Sequence, residues 1–161
     1  MATVYLALGT NLKDRLVNLR AALRVLPPKI PLLARSRIYE TPAWGYKDQP
    51  AFLNMVVKAQ TELAPTELLA HLKHLETGLG RRPTFVWGPR LIDIDILFYN
   101  DLLLDTPELV IPHPRLYERA FVLVPLADLA PDLVHPVLGK TIAQLLASVD
   151  TTGITALPDA P

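Results

Sequence analysis

Trp87-Gly88-Pro89-Arg90-Leu91-Ile92-Asp93-Ile94-Asp95-Ile96-Leu97 decides how this chain is read. A Gly-Pro turn leads into strict alternation. On a strand, Ile92, Ile94 and Ile96 point to one face, and Asp93 and Asp95 point to the other. The two carboxylates are then roughly 7 Å apart along the strand. They repel each other and lose solvation, so a positive group must compensate them. An oxygen-seeking divalent cation is the simplest candidate. Arg90 just upstream offers a place for a second anion, such as a phosphate. The plainer reading is a solvated edge strand with its polar face outward. Against it, strands disfavour Asp, and the same face continues with Leu97 and Tyr99.

Outward from this strand, which is expected over residues 91–99, helical and strand periods alternate. Upstream, residues 81–89 form a basic loop. Before it, Leu68, Leu69, Leu72 and Leu75 make a helical stripe opened by Pro65 and closed by Gly78 or Gly80. Residues 52–61 read as a strand. Residues 40–50, with Pro42, Gly45 and Pro50, read as a loop. Residues 32–39 predict a further strand. Leu16, Leu19, Leu23 and Leu26 repeat at helical spacing until Pro27 and Pro28 stop them. Residues 3–8 predict the first strand, ended by Gly9. Downstream, residues 102–110 predict an edge hairpin, residues 120–126 and 141–149 two short helices, and residues 151–161 a loose tail. The order strand, helix, strand, strand, helix, strand is the split βαβ pattern of ferredoxin-like folds. The expected fold class is α+β, with a largely antiparallel sheet covered by helices. No repeat or linker divides the chain, so residues 1–161 are expected to form one domain.

Composition narrows the function. The chain has 161 residues, 50% hydrophobic and 20% charged, enough to bury a sizeable core. Its 16 Lys+Arg and 16 Asp+Glu cancel, so no global field favours nucleic acid and any anion site must be built locally. The absence of Cys excludes disulfides, thiolate catalysis and Cys-ligated metals. The first ten residues lack the basic start and apolar run of a signal peptide. The longest apolar run, residues 120–127, is too short to span a bilayer and contains Pro125. A cytoplasmic protein with no membrane or nucleic-acid partner is expected, its oligomeric state open and a monomer favoured.

Two further groups of residues carry chemistry. Arg81, Arg82, Arg90, His113, Arg115 and Arg119 form a basic set around the Asp strand, and polyphosphate needs several donors and charges together. Any single one of them reads first as solvated surface, and only the cluster points to an anion. Trp44, on the loop Thr41-Pro42-Ala43-Trp44-Gly45, is either a lid over the core or a stacking surface for a flat ligand. Asn54 interrupts the apolar run 52–57, and a core-facing amide must find partners in backbone or in the donor–acceptor edge of a heterocycle. Phe121 is core by default. Two nucleotide patterns fail. Gly139-Lys140-Thr141 has Val134 where a P-loop needs glycine, and Gly78 and Gly80 are followed by Pro83 at the third glycine position of a dinucleotide fingerprint.

Trp87-Gly88-Pro89-Arg90 followed by Asp-Ile-Asp-Ile resembles the signature of the 6-hydroxymethyl-7,8-dihydropterin pyrophosphokinase family of folate biosynthesis. The resemblance covers nearly the whole chain. It continues in Leu8-Gly9-Thr10-Asn11-Leu12, Tyr39-Glu40-Thr41-Pro42, Asp48-Gln49-Pro50 with Phe52-Leu53-Asn54, Glu76 before Gly80-Arg81, and Pro112-His113-Pro114-Arg115 with Arg119-Ala120-Phe121. The resemblance implies transfer of the terminal diphosphate of ATP to the hydroxymethyl group of a reduced pterin, with release of AMP. It implies that Asp93 and Asp95 hold two Mg²⁺ ions. Arg90, His113 and Arg119 match phosphate-binding positions, Glu76 and Ile96 positions near the nucleotide, and Arg81 the first arginine of a mobile catalytic loop. For the pterin it implies Thr41, Pro42, Ala43, Trp44, Phe52, Asn54, Trp87 and Phe121. The chain departs from the family pattern at Val86, where an arginine is usual, and at Pro83, which stiffens the loop. No general base is legible. The competing expectations are a metal-dependent phosphohydrolase or nuclease using the same Asp pair, and a ligand-sensing domain that binds without turnover.

Overall fold

The computed structural model describes residues 1–43, 48–80 and 91–158. In chain order the elements are β1 (Ala2–Thr10), α1 (Arg15–Val25), β2 (Leu32–Arg35), β3 (Tyr39–Thr41), β4 (Phe52–Thr61), α2 (Pro65–Gly78), β5 (Asp93–Tyr99), β6 (Leu104–Asp105), β7 (Val110–Ile111), a 3₁₀ turn (Leu116–Glu118), α3 (Ala120–Leu129), α4 (Ile142–Ala147) and β8 (Thr155–Ala156). The main sheet runs β5-β1-β4-β3-β8, with β2 also on β4, and the paired strands are antiparallel. This is the order expected when two βαβ halves interleave, and the fold class is the α+β one anticipated.

Local chemistry explains the helices. Asp14 caps α1 by accepting the Val17 N–H at 3.2 Å. Pro65 opens α2, and the Glu67 carboxylate reaches back to the Ala64 N–H at 2.9 Å. Thr141 and Gln144 cap α4 reciprocally. Each helix then covers one sheet face. Leu19 and Ala22 of α1, with Leu68 and Leu72 of α2, close a core over Leu6, Leu8, Ile94 and Ile96. Leu123 and Leu126 of α3, with Ile142 and Leu145 of α4, close a second core over Tyr5, Val56, Leu97 and Phe98.

Several boundaries differ from expectation. Gly9 does not end β1. It sits inside the strand, opposite Asn54 on one side and Asp93 on the other. Segment 32–39 divides into β2 and β3, and Glu40 and Thr41, expected in a loop, pair with Leu53 and Phe52. The expected edge hairpin over 102–110 forms its own two-stranded sheet, β6 with β7. The pairing of β1 with β5 slips between Tyr5 and Leu6, which leaves Leu97 as an extra residue. That slip reverses the alternation. Phe98 joins the α3 core, whereas Tyr99 packs into the α1–α2 core and donates its hydroxyl to the Leu63 carbonyl at 2.7 Å. Residues after Asp150 are not loose throughout either. Thr155 and Ala156 pair with Glu40 and Tyr39, and the Leu157 N–H donates to the Ile38 carbonyl.

Candidate active site

The central strand sets the layout. Neighbours across a sheet point to the same face, so Asn54 of β4, Gly9 of β1 and Asp93 of β5 form one row on the α3 side. Asp95 occupies the next row beside Ala7. Strands lie about 4.8 Å apart, so the amide and the first carboxylate are separated by two strand spacings with no side chain between them. Above this row opens a cavity of about 560 Å³. Thr41, Pro42, Phe52 and Asn54 line one part of it. Asp93, Asp95, Ile96, Glu76, His113, Arg119 and Phe121 line the rest.

At the amide end, Asn54 is buried and its Nδ2 donates to Thr41 Oγ1 at 2.7 Å. Pairing of β3 with β4 sets that contact, which explains why the two residues lie far apart in sequence. Ala43 is buried and is not among the lining residues. The turn at Gly153 packs onto Pro42, so the C-terminal segment braces this end of the site.

At the carboxylate end, the first contacts hold β5 in place. The Glu76 carboxylate is buried and accepts the Ile94 N–H at 2.7 Å, tying α2 to the edge strand between the two aspartates. The fully buried Thr10 hydroxyl donates to the Leu91 carbonyl and accepts from Asn18 Nδ2, which pins the root of β5 to β1 and α1. Arg119 supplies the compensating cation. Burial lowers its pKa, the nearby Asp95 carboxylate opposes that shift, Arg115 adds to it, and Asp93 opposes it further. Its guanidinium carbon also lies 5.6 Å from the centre of the Phe121 ring. Burial, with Arg119 and then Arg115 nearby, pushes His113 down to about 4. The His113 Nδ1 accepts the Arg115 N–H at 3.2 Å, so the neutral ring carries its proton on Nε2. Arg115 itself pairs with Glu118 and does not line the cavity.

These donors fit a magnesium–phosphate assembly. Among the described residues no three His, Asp or Glu side chains converge as a metal cage. Two carboxylates on one strand face suit Mg²⁺, which takes one or two carboxylates and completes its shell with water and substrate phosphates. Arg119 and neutral His113 offer donors to those phosphates from the same wall.

Residues 5–131 match the family described as 7,8-dihydro-6-hydroxymethylpterin-pyrophosphokinase. The chain belongs to this family. Among its pyrophosphokinase relatives, the 2-amino-4-hydroxy-6-hydroxymethyldihydropteridine pyrophosphokinase of Methylorubrum extorquens is 46% identical over 156 residues, covering 96% of this chain and 98% of that one. The enzyme of the same name from Aquifex aeolicus is 44% identical over 144 residues, covering 89% and 90%. The crystal structure of Plasmodium falciparum HPPK-DHPS wild type with pteroate superposes with a TM-score of 0.73 at 21% identity, over 91% of this chain and 42% of that one. At that identity the likeness concerns the pyrophosphokinase fold alone.

Of the residues singled out in the sequence, Arg81, Arg82, Arg90, Trp44 and Trp87 lie outside the described residues, as do Pro83 and Val86. The sequence reading missed Gly9 and Lys73, which also line the cavity. Both left a signal. A glycine inside a strand marks a close approach, and Lys73 lies three residues before Glu76, on the same helix face.

Proposed function

We infer that this chain transfers the diphosphate of ATP to 6-hydroxymethyl-7,8-dihydropterin, giving the pterin diphosphate and AMP in folate biosynthesis. The observation that carries this reading is one cavity with a hydrogen-bonded amide at one end and an aspartate pair at the other, two strands apart. In this reading Asn54 and Thr41 take the polar edge of the pterin. Phe52 and Phe121, with Pro42, flank the ring, and the family resemblance assigns Trp44 and Trp87, outside the described residues, to the same substrate. Glu76 and Ile96 lie toward the nucleotide, and Arg119, His113 and Arg90 take phosphate oxygens. The family resemblance assigns Arg81, also outside the described residues, to a loop that keeps water from the nucleotide. The hydroxymethyl oxygen gives up its proton to solvent and bonds to the β-phosphorus as the bond from that phosphorus to the α-phosphate oxygen breaks, and AMP leaves. Two magnesium ions held by Asp93 and Asp95, when bound, supply neutralisation of the charge that builds on the phosphates. Holding both reactants in line contributes up to about 7–11 kcal/mol in favourable cases. A monomer, acting in the cytoplasm where ATP is available, completes the reading.

One assay tests the reading. The protein is incubated with Mg²⁺, ATP and 6-hydroxymethyl-7,8-dihydropterin, and nucleotide and pterin products are quantified together. AMP and pterin diphosphate in equal amounts are expected. Production of ADP or free phosphate would instead indicate hydrolysis, and an unchanged ATP pool would indicate a sensor.

A further inference from the structure

We propose that Gly9 is a positioning residue for the pterin, acting through Asn54. The proposal rests on the reading of Asn54 as the pterin-recognising amide. Gly9 is held on both sides of the central strand, by Asn54 of β4 and by Asp93 of β5, so its backbone has nowhere to retreat. A Cβ placed on Gly9 would lie 2.7 Å from Asn54 Oδ1, with Phe52 Cδ2 at 3.7 Å and Asn54 Cγ at 3.9 Å. The first of these is closer than real Cβ atoms come, so something must shift. The strand cannot, so the amide must. Asn54 is only 8% exposed and donates to Thr41 Oγ1 at 2.7 Å, so turning the amide away strains or breaks that bond. The three nearest atoms all belong to Asn54 and Phe52, two residues placed on the pterin side. The missing side chain therefore serves pterin orientation and not nucleotide binding. The φ of Gly9 is not in the left-handed region, so the glycine is required by the space above it and not by its backbone conformation.

The test is a double-mutant cycle over Gly9→Ala and Asn54→Ala, with steady-state kinetics in both substrates and direct binding of an ATP analogue with Mg²⁺. Gly9→Ala is expected to raise the pterin KM by about tenfold or more, while affinity for the analogue stays within about twofold. In the Asn54→Ala background the same change is expected to alter the pterin KM by less than about twofold, because the atom that the Cβ displaces is gone. Equal losses for both substrates, or effects that simply multiply across the cycle, overturn the proposal. If Gly9→Ala alone does not fold, the double variant regains the fold, and a double variant as unfolded as the single one overturns it as well. Wild-type turnover is the control. Its absence overturns the proposed function, whereas an active wild type with multiplying effects overturns only the role given to Gly9.

Discussion

His113 is the group whose protonation the fold opposes most clearly, and the consequence can be measured. Burial and the two neighbouring arginines hold its pKa at about 4, against an ordinary value of 6.5. The folded state therefore binds fewer protons at this site than the unfolded chain does. Its stability contribution is complete above about pH 6.5 and is lost as pH falls toward 4. The full gap corresponds to about 3 kcal/mol, and between pH 7.5 and pH 5 the loss works out at about 2 kcal/mol. Burial also lowers His71 and His135, so the wild-type curve alone does not isolate this residue. The assay is denaturant unfolding of the wild type and of His113→Gln at both pH values. The wild type is expected to lose about 2 kcal/mol more than the variant between them. The ring resonances of His113, followed by NMR, are expected not to titrate between pH 8 and pH 5.5. A ring that titrates near pH 6.5, or identical pH dependence for the two proteins, would refute the argument that burial beside Arg119 and Arg115 keeps the ring neutral. A neutral ring also means that His113 meets phosphate as an N–H donor and not as a cation.

Two further outcomes follow from the carboxylate end of the site. Asp95→Asn is expected to lower turnover by about a hundredfold or more, since charge neutralisation in the transition state is worth several kcal/mol. Binding of nucleotide measured directly should fall far less, and equal losses in both would contradict a role specific to the transition state. Thr10→Val removes a buried hydroxyl that serves the Leu91 carbonyl and Asn18, and is expected to cost about 1–3 kcal/mol of unfolding free energy. Denaturant midpoints read that loss, and the Mg²⁺ concentration needed for half-maximal activity should rise with it because the root of β5 is released.

The two ends of the site were not equally legible. The Asp pair could be read directly, because alternation of period two places Asp93 and Asp95 on one face whatever the fold. The helix limits at Pro65 and at the Pro27-Pro28 pair were legible for the same kind of reason, since each proline acts on its own neighbours. The bulge at Leu97 was not, since it exists only in the register between β1 and β5. The expectation that Tyr99 would share the aspartate face failed there. Gly9 was read as a strand end because a glycine weakens a strand locally. What keeps it inside β1 is pairing on both sides, a long-range contribution that no local window contains.

By itself the sequence determined the α+β order of elements and the shared face of the two aspartates, which are properties of spacing along the chain, and its motifs carried the resemblance to the family. Only the tertiary structure decided that Asn54 meets Thr41, that Glu76 caps the Ile94 N–H, and that Gly9 clears the floor between amide and carboxylate. Each of those depends on register between strands or packing between layers, where one residue of slip exchanges the two faces of a sheet.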